Sequence, residues 1–357
     1  MIRLLIVEDS ALMRKLLGQI FGAEADFEVG FASDGEEALK IISTFRPDVV
    51  TLDIHMPRMN GLACLDRIML EYPCPVVMVS SLTNEGADET LRALEIGAVD
   101  FIAKPAGAIS LGIEELAPRL VEKVRIAASV HIRRSRRLAE RLRLSRARPI
   151  SSPKPRDTAF PPPKEATEHG LVLIGTSTGG PPALDAVLAC LPSDFKWPVV
   201  VAQHMPASFT GALARRLDKI CAMTVSEVLR PARLEPGNVY IAKGDADILI
   251  SSRAGALVAM AAPSDPEFRW HPSVDRMVRS AMKHVPAESL IGVLMTGMGN
   301  DGAAAMADLR SAGGHTIAEA QETAVVWGMP GELVQRGGAT EVKRLGRIGQ
   351  HLLDRVC

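Results

Sequence analysis

The sequence predicts an α/β protein of two domains, each built around a mainly parallel sheet. Three observations carry this. The chain has 357 residues, more than one ordinary hydrophobic core holds and enough for two domains of usual size. Short apolar runs alternate with stretches of helical period at both ends of the chain, as βα units require. Between them the composition changes, with six prolines in residues 149–163, which reads as a partly extended, stiff linker.

In residues 1–120 the apolar runs are Leu4–Val7, Val29–Ala32, Asp48–Leu52, Val76–Val79 and Val99–Ile102. Helical patterns follow at Ser10–Phe21, Glu36–Ser43, Leu62–Leu70 and Ala87–Leu94. Five such units predict a doubly wound parallel sheet of order 2-1-3-4-5, covered on both faces. A long helical pattern from about Ile113 runs into an Arg-rich stretch. Beyond the linker, strand-like runs recur at Leu171–Ile174, Pro198–Ala202, Asn238–Ala242, Ile248–Ser251, Ala256–Met260 and Leu290–Met295. The expected division is a first domain over 1–125, a helix extension and linker over 126–168, and a second domain over 169–357.

Hydrophobic residues at 47% and charged residues at 23% fit a soluble globular chain. The net charge of -1 hides a contrast: residues 1–120 hold 10 Lys/Arg and 19 Asp/Glu, whereas residues 131–148 hold eight Arg and one Glu. No apolar run approaches the roughly 18 residues of a membrane span. The opening MIRLLIVEDS lacks a signal-peptide pattern. Cys64, Cys74, Cys190, Cys221 and Cys357 form no CxxC pair and read as reduced thiols. A cytoplasmic protein is expected, with no direct membrane insertion.

The carboxyl ends of the first five strands gather one kind of chemistry. Glu8 and Asp9 follow strand one and Asp53 ends strand three, its neighbour at the switch point. Three converging carboxylates repel unless a cation sits among them, and all-oxygen ligands suit Mg²⁺. Ser80 ends strand four and can donate to a phosphoryl oxygen. Lys104, before Pro105, supplies a cation at the end of strand five. One acid after a strand is commonplace; EDS, TLD, VSS and AKP all at strand ends are not.

The second domain opens on LVLIGTSTGGPPAL, a strand, a tight turn and a helix. Gly175-x-Ser177-x-Gly179 has the spacing of a nucleophile elbow. Pro181 and Pro182 suit the first helical turn. A phosphate cradle would need Gly-Lys-Ser/Thr, which is absent. His204, after the run Pro198–Ala202, is the candidate base. Asp301, in the glycine-rich loop MTGMGNDG, is the candidate acid. Each lies in a strand–loop–helix segment, so the three can meet at one sheet edge. The order Ser–His–Asp differs from that of the α/β-hydrolases.

Residues 1–120 resemble the response-regulator receiver family, whose fold is flavodoxin-like. The resemblance implies Asp53 as the site phosphorylated by a histidine kinase, with Glu8, Asp9, Asp53 and the backbone carbonyl of His55 holding Mg²⁺. His55 departs from the acid usual there. Phe101 falls where the family often has an aromatic switch residue. GTSTGG, QHMP with FTGALARRLD, HPSVDRMVRSA, MTGMGNDG and VVWGMP resemble the catalytic domain of the CheB methylesterase family over nearly all of 169–357. That resemblance implies a methylesterase domain with a mainly parallel sheet, demethylating glutamates of chemotaxis receptors and deamidating glutamines, with the backbone N–H of Met298 in the oxyanion hole and no cofactor. Thr176, Lys243 and Asp247 depart from the family pattern.

Two other readings compete. The eight arginines suggest a DNA-binding regulator, but no helix-turn-helix pattern follows, and no nucleic-acid partner is expected. A regulator with a non-catalytic binding output is opposed by the complete Ser/His/Asp set.

Overall fold

The computed structural model describes residues 1–80, 83–104, 109–130 and 170–356. The Arg-rich stretch, the Pro-rich linker, Pro105 and Cys357 lie outside the described residues. The first sheet consists of β1 (Ile2–Val7), β2 (Phe27–Ala32), β3 (Val49–Asp53), β4 (Val76–Ser80) and β5 (Asp100–Ala103). Its order is β2-β1-β3-β4-β5, all parallel, as expected. β3 and β4 are buried at every position because helices cover both faces. The helices are α1 (Ala11–Gly22), α2 (Gly35–Phe45), α3 (Gly61–Glu71), α4 (Asn84–Ile96) and α5 (Ile109–Ala128). The first four start on side-chain caps, Ser10, Asp34, Asn60 and Thr83, which accept from otherwise unpaired first-turn amides. Starting each helix so soon after its strand keeps the loops short and crowds their polar residues at the carboxyl edge.

The second sheet has seven strands: β6 (Leu171–Thr176), β7 (Val199–Gln203), β8 (Thr224–Val228), β10 (Asn238–Ala242), β13 (Leu290–Leu294), β14 (His315–Glu319) and β15 (Glu341–Lys343). Their order is β15-β14-β13-β6-β7-β10-β8, every pair parallel. The three candidate residues Ser177, His204 and Asp301 follow β6, β7 and β13, neighbours at the centre of this sheet, and so gather at its carboxyl edge. The runs at 248–251 and 256–260 belong elsewhere. They form an antiparallel hairpin, β11 (Ala246–Arg253) and β12 (Ala256–Pro263), which pairs with the short β9 (Ala232–Arg233) in a separate sheet. Its two-residue turn has Ala254 at φ 49° and Gly255 at φ 78°, the left-handed pair that matches strand twist. Six helices pack around these sheets: α6 (Gly180–Leu188), α7 (Ala207–Ile220), α8 (Val274–Met282), α9 (Ala303–Ser311), α10 (Met329–Gln335) and α11 (Leu345–Val356).

One apolar cluster crosses from the first domain to the second. Phe101 of β5 meets Phe209 of α7 with ring centroids 4.4 Å apart. Polar links flank this contact. Thr178 Oγ1 donates to Asp100 Oδ2 at 2.5 Å, Arg216 Nε to Glu95 at 2.5 Å, and Arg269 to Glu122 of α5 at 2.7 Å.

Candidate active site and acidic pocket

In the first domain β1 and β3 bring Glu8, Asp9 and Asp53 together, with carboxylate oxygens within 4.8 Å of one another. Glu8 and Asp53 are buried and Asp9 is exposed. Lys104 Nζ lies 2.8 Å from Asp53 Oδ2 and 2.9 Å from Glu8 Oε2. Burial and the neighbouring Asp53 raise the pKa of Glu8, partly offset by Lys104. Burial works against the Lys104 ammonium, but Asp53 and Glu8 outweigh it and raise its pKa. This electron-rich oxygen set fits a hard divalent cation such as Mg²⁺. Ser80 bonds Thr90 at 2.7 Å and the Gly86 carbonyl at 3.2 Å. The His55 ring is exposed and meets Glu89 at 3.1 Å. The other metal-capable group among the described residues, His315, Glu341 and His351, is internally paired. Its imidazoles bond each other at 3.2 Å and Lys343 holds Glu341 at 2.5 Å.

In the second domain Ser177 follows β6 on a turn closed by Gly179 at φ 75°. A Cβ at Gly179 would lie 2.6 Å from Val325, so both dihedral and space call for glycine. The Ser177 amide donates to the Thr296 carbonyl at 3.0 Å, tying the elbow to the loop after β13. His204 follows β7, its amide on the Thr176 carbonyl at 3.0 Å. Its ring bonds Asp301 through Nε2, at 2.8 Å from Oδ2. Nδ1 is buried with no partner. Thus Nδ1 is the nitrogen left to act as base, while Nε2–H stays on the acid. Ser177 and Nδ1 are not hydrogen-bonded to each other here, an open arrangement common before substrate binds.

Asp301 accepts more than His204. Oδ2 also takes the Val274 amide at 2.7 Å, and Oδ1 takes Ser273 Oγ and the Asp275 amide, both at 3.0 Å. These donors form the N-terminus of α8, where the helix dipole favours an anion. Burial pushes the Asp301 carboxyl up, but His204 and the amides more than offset this, so its pKa lies below the usual value. That explains the HPSVDRMVRSA segment: it is the cradle of the acid. VVWGMP instead pairs with the glycine-rich loop ahead of Asp301, with Gly297 N on the Val326 carbonyl and Met329 N on the Gly297 carbonyl. Met298 follows Gly297, and its amide meets no backbone acceptor outside regular elements among the described residues.

Several supporting residues were not anticipated. Buried Gln203 donates to the carbonyls of both Ser177 and His204, at 3.0 Å each. Trp270 stacks on His204, with centroids 5.6 Å apart and planes 10° apart. Its neighbour HPSVD was the only sequence signal near it. Of the departures, Thr176 is buried and donates to the Thr296 carbonyl at 3.0 Å, Lys243 is exposed, and Asp247 is fully buried.

Glu319, at the end of β14, is also fully buried and accepts from the Thr296 amide at 2.9 Å through Oε2, while Oε1 has no partner. Burial raises its pKa from 4.5 to about 7. A raised acid keeps its proton in the folded state after the unfolded chain has lost it, so stability falls as pH rises from 4.5 to about 7. Glu319→Gln removes this slope. Relative to the parent, the variant is expected to gain on the order of 3 kcal/mol across that window, read by denaturant unfolding below and above it. Parallel unfolding curves at both ends would show that Glu319 does not carry this titration.

The CheB methylesterase family model matches residues 172–352, and that of the response regulator receiver domain matches residues 4–112. The chain is 54% identical to protein-glutamate methylesterase/protein-glutamine glutaminase 2 of Rhodopseudomonas palustris, over 99% of this chain and 98% of the relative. It is 52% identical to a relative of the same description, numbered 3, from Rhodospirillum rubrum, over 99% and 95%. The crystal structure of the Thermotoga maritima CheB methylesterase catalytic domain matches with 37% identity and a TM-score of 0.51, over 53% of this chain and 99% of that one. Matches of this extent and identity establish that the chain belongs to the CheB methylesterase family, with a response regulator receiver domain preceding the catalytic domain.

Proposed function

We propose that this protein is a phosphorylation-activated serine hydrolase that demethylates glutamate methyl esters on methyl-accepting chemotaxis receptors, yielding glutamate and methanol, and also deamidates receptor glutamines. The observation that carries the reading is His204, with Nε2 held by Asp301 and Nδ1 buried and unpaired. Nδ1 takes the proton of Ser177 as the hydroxyl attacks the ester carbonyl. Asp301 stabilises the imidazolium that results. The Met298 amide donates to the oxyanion; losing such a donor typically costs roughly 10²–10³ in rate. His204 then protonates the departing methoxide, and water hydrolyses the acyl-enzyme. Release of methanol from methylated receptor, abolished by Ser177→Ala, tests the assignment.

Asp53 is the proposed phosphoacceptor, served by a histidine kinase of the chemotaxis type. Glu8, Asp9, Asp53 and the His55 carbonyl would hold Mg²⁺, which offsets charge on the phosphoryl group and on the attacking carboxylate. Lys104 and Ser80 would meet the phosphoryl oxygens, and Phe101 would respond as the aromatic switch. The reading places the protein in the cytoplasm, where the free thiols of Cys64, Cys74, Cys190 and Cys221 would stay reduced.

Docking of the receiver beside Ser177 gives the proposed control. Thr178, next to the nucleophile, is bonded to Asp100 of the receiver, and Phe101 is buried against Phe209. Phosphorylation lifts this restriction by as much as it favours an undocked arrangement over a docked one; a tenfold activation needs about 1.4 kcal/mol. Asp53→Asn is expected to keep basal activity and lose the response to a small phosphodonor. A fragment beginning near His169 should exceed the unphosphorylated full chain. A slower fragment would overturn occlusion and assign the receiver a positive role in catalysis or receptor docking.

A further inference from the structure

We propose that Asp247 is a positioning residue for the triad, a buried carboxylate that fixes residues 270–275 so that one end of the segment roofs His204 and the other holds Asp301. The inference rests on the triad reading above. Asp247 stands on β11, outside the main sheet and fully buried. A carboxylate there is tolerated only when its oxygens are saturated by donors. All of its donors come from one stretch of chain. Oδ1 accepts the Ser273 amide at 2.7 Å and His271 Nδ1 at 3.0 Å. Oδ2 accepts Arg276 Nη1 at 2.6 Å and the Asp265 amide at 3.3 Å. Burial opposes its charge, but His271, the Ser273 amide and Arg276 outweigh it and lower its pKa. Asp247 is therefore an anion around which the chain from 265 to 276 is folded.

Both ends of that chain reach the catalytic imidazole. Ser273, held by its amide, caps α8 through Oγ and donates the same hydroxyl to Asp301 Oδ1. The next two amides also bond Asp301, whose Oδ2 holds His204 Nε2. Upstream, Trp270 precedes His271 and lies flat on the His204 ring. The Arg269 guanidinium lies 4.7 Å from the indole centroid and bonds Glu122 of the receiver. The ring of His204 is thus fixed along its edge by Asp301 and across its face by Trp270, and Asp247 sets both supports. The hairpin that carries Asp247 also bonds the helix behind this segment, through the Pro263 carbonyl to Arg276 and the Ile250 amide to Ser280.

The test uses the full chain activated by a small phosphodonor. Methanol release from methylated receptor membranes is expressed per folded molecule, counted from the amplitude of the cooperative thermal unfolding transition, so unfolded molecules do not count. Asp247→Ala is expected to lower kcat about a hundredfold, the scale of an ångström-sized misplacement, with KM changed less than about twofold because no receptor contact is removed. Asp247→Asn keeps an acceptor for the Ser273 amide and should recover about tenfold over the alanine variant, an amount that matches one hydrogen bond. Trp270 emission, taken as the difference from a Trp270→Phe background, should shift to the red in Asp247→Ala as the indole leaves the ring. A kcat per folded molecule within twofold of the parent overturns the proposal. So does a slow variant with unchanged Trp270 emission. If Asp247→Ala does not fold, Asp247→Asn decides, about tenfold slower than the parent if the proposal holds and equal to it if not. Activity persisting in Ser177→Ala would instead remove the triad reading on which this rests.

Discussion

Ser177→Ala is expected to lower methanol release by about 10⁶-fold, the scale seen when a triad nucleophile is deleted, with phosphorylation of Asp53 unchanged. The residual rate comes from oxyanion donors and binding, which need no hydroxyl. The two sites are separable because Ser177 ends β6 of the second sheet and Asp53 ends β3 of the first. The substitution removes one oxygen from a partly exposed side chain, and the backbone bonds that shape the elbow, from the Ser177 amide and to its carbonyl, remain. Loss of activity would therefore report on chemistry. Activity near that of the parent would mean that another group is the nucleophile.

Asp301→Asn is expected to cost about 10⁴ in kcat, as removal of the acid from a serine triad does when geometry is kept. The reason lies in what surrounds the carboxylate. Oδ1 and Oδ2 together accept from His204, Ser273, Val274 and Asp275, and every one of these is a donor. An asparagine must turn its NH₂ toward one pair of them. Facing His204, the NH₂ forces Nε2 to accept, which moves the ring proton to Nδ1, where the base must be free. Facing Ser273 and the Asp275 amide, it sets donor against donor and loosens the α8 N-terminus. Either arrangement sets the NH₂ against a backbone amide of the α8 N-terminus, Val274 in the first and Asp275 in the second, and lowers the melting temperature; only the first also imposes the wrong tautomer on His204. The ring-nitrogen shifts of His204 by ¹⁵N NMR, read beside kinetics of the same preparation, separate them. A loss as complete as that of Ser177→Ala in a well-folded variant would give Asp301 a more direct part in proton transfer.

Much of this was legible in the chain because the signals are local. Helix caps such as Asp34 and Asn60, the turn glycines around Ser177, and apolar runs of strand length act over a few residues. The strands that escaped notice are those whose burial comes from their neighbours. β14 reads HTIAE, with polar residues at both ends, yet all five positions are buried because β13 and β15 flank it. β15 is three residues long and β8 alternates as an edge strand. The hairpin β11–β12 has ordinary strand patterning, but nothing in its sequence says that it leaves the main sheet.

By itself the sequence determined the two α/β domains and the acidic edge around Asp53, and it singled out Ser177, His204 and Asp301 as candidates for acyl chemistry. Only the tertiary structure decided which nitrogen of His204 faces Asp301, that Asp301 rests on the N-terminus of α8, and where Gln203, Trp270, Asp247 and Glu319 stand around them. It also decided that Phe101 packs on Phe209 and that Thr178 answers to Asp100. The physical reason is range. Strand and turn preferences are set within a few residues, whereas a hydrogen bond between positions 204 and 301, or a ring stacked across 66 residues from 204 to 270, depends on how whole layers pack. Such contacts are chosen by the burial and donor balance of the assembled core, which no short window of sequence contains.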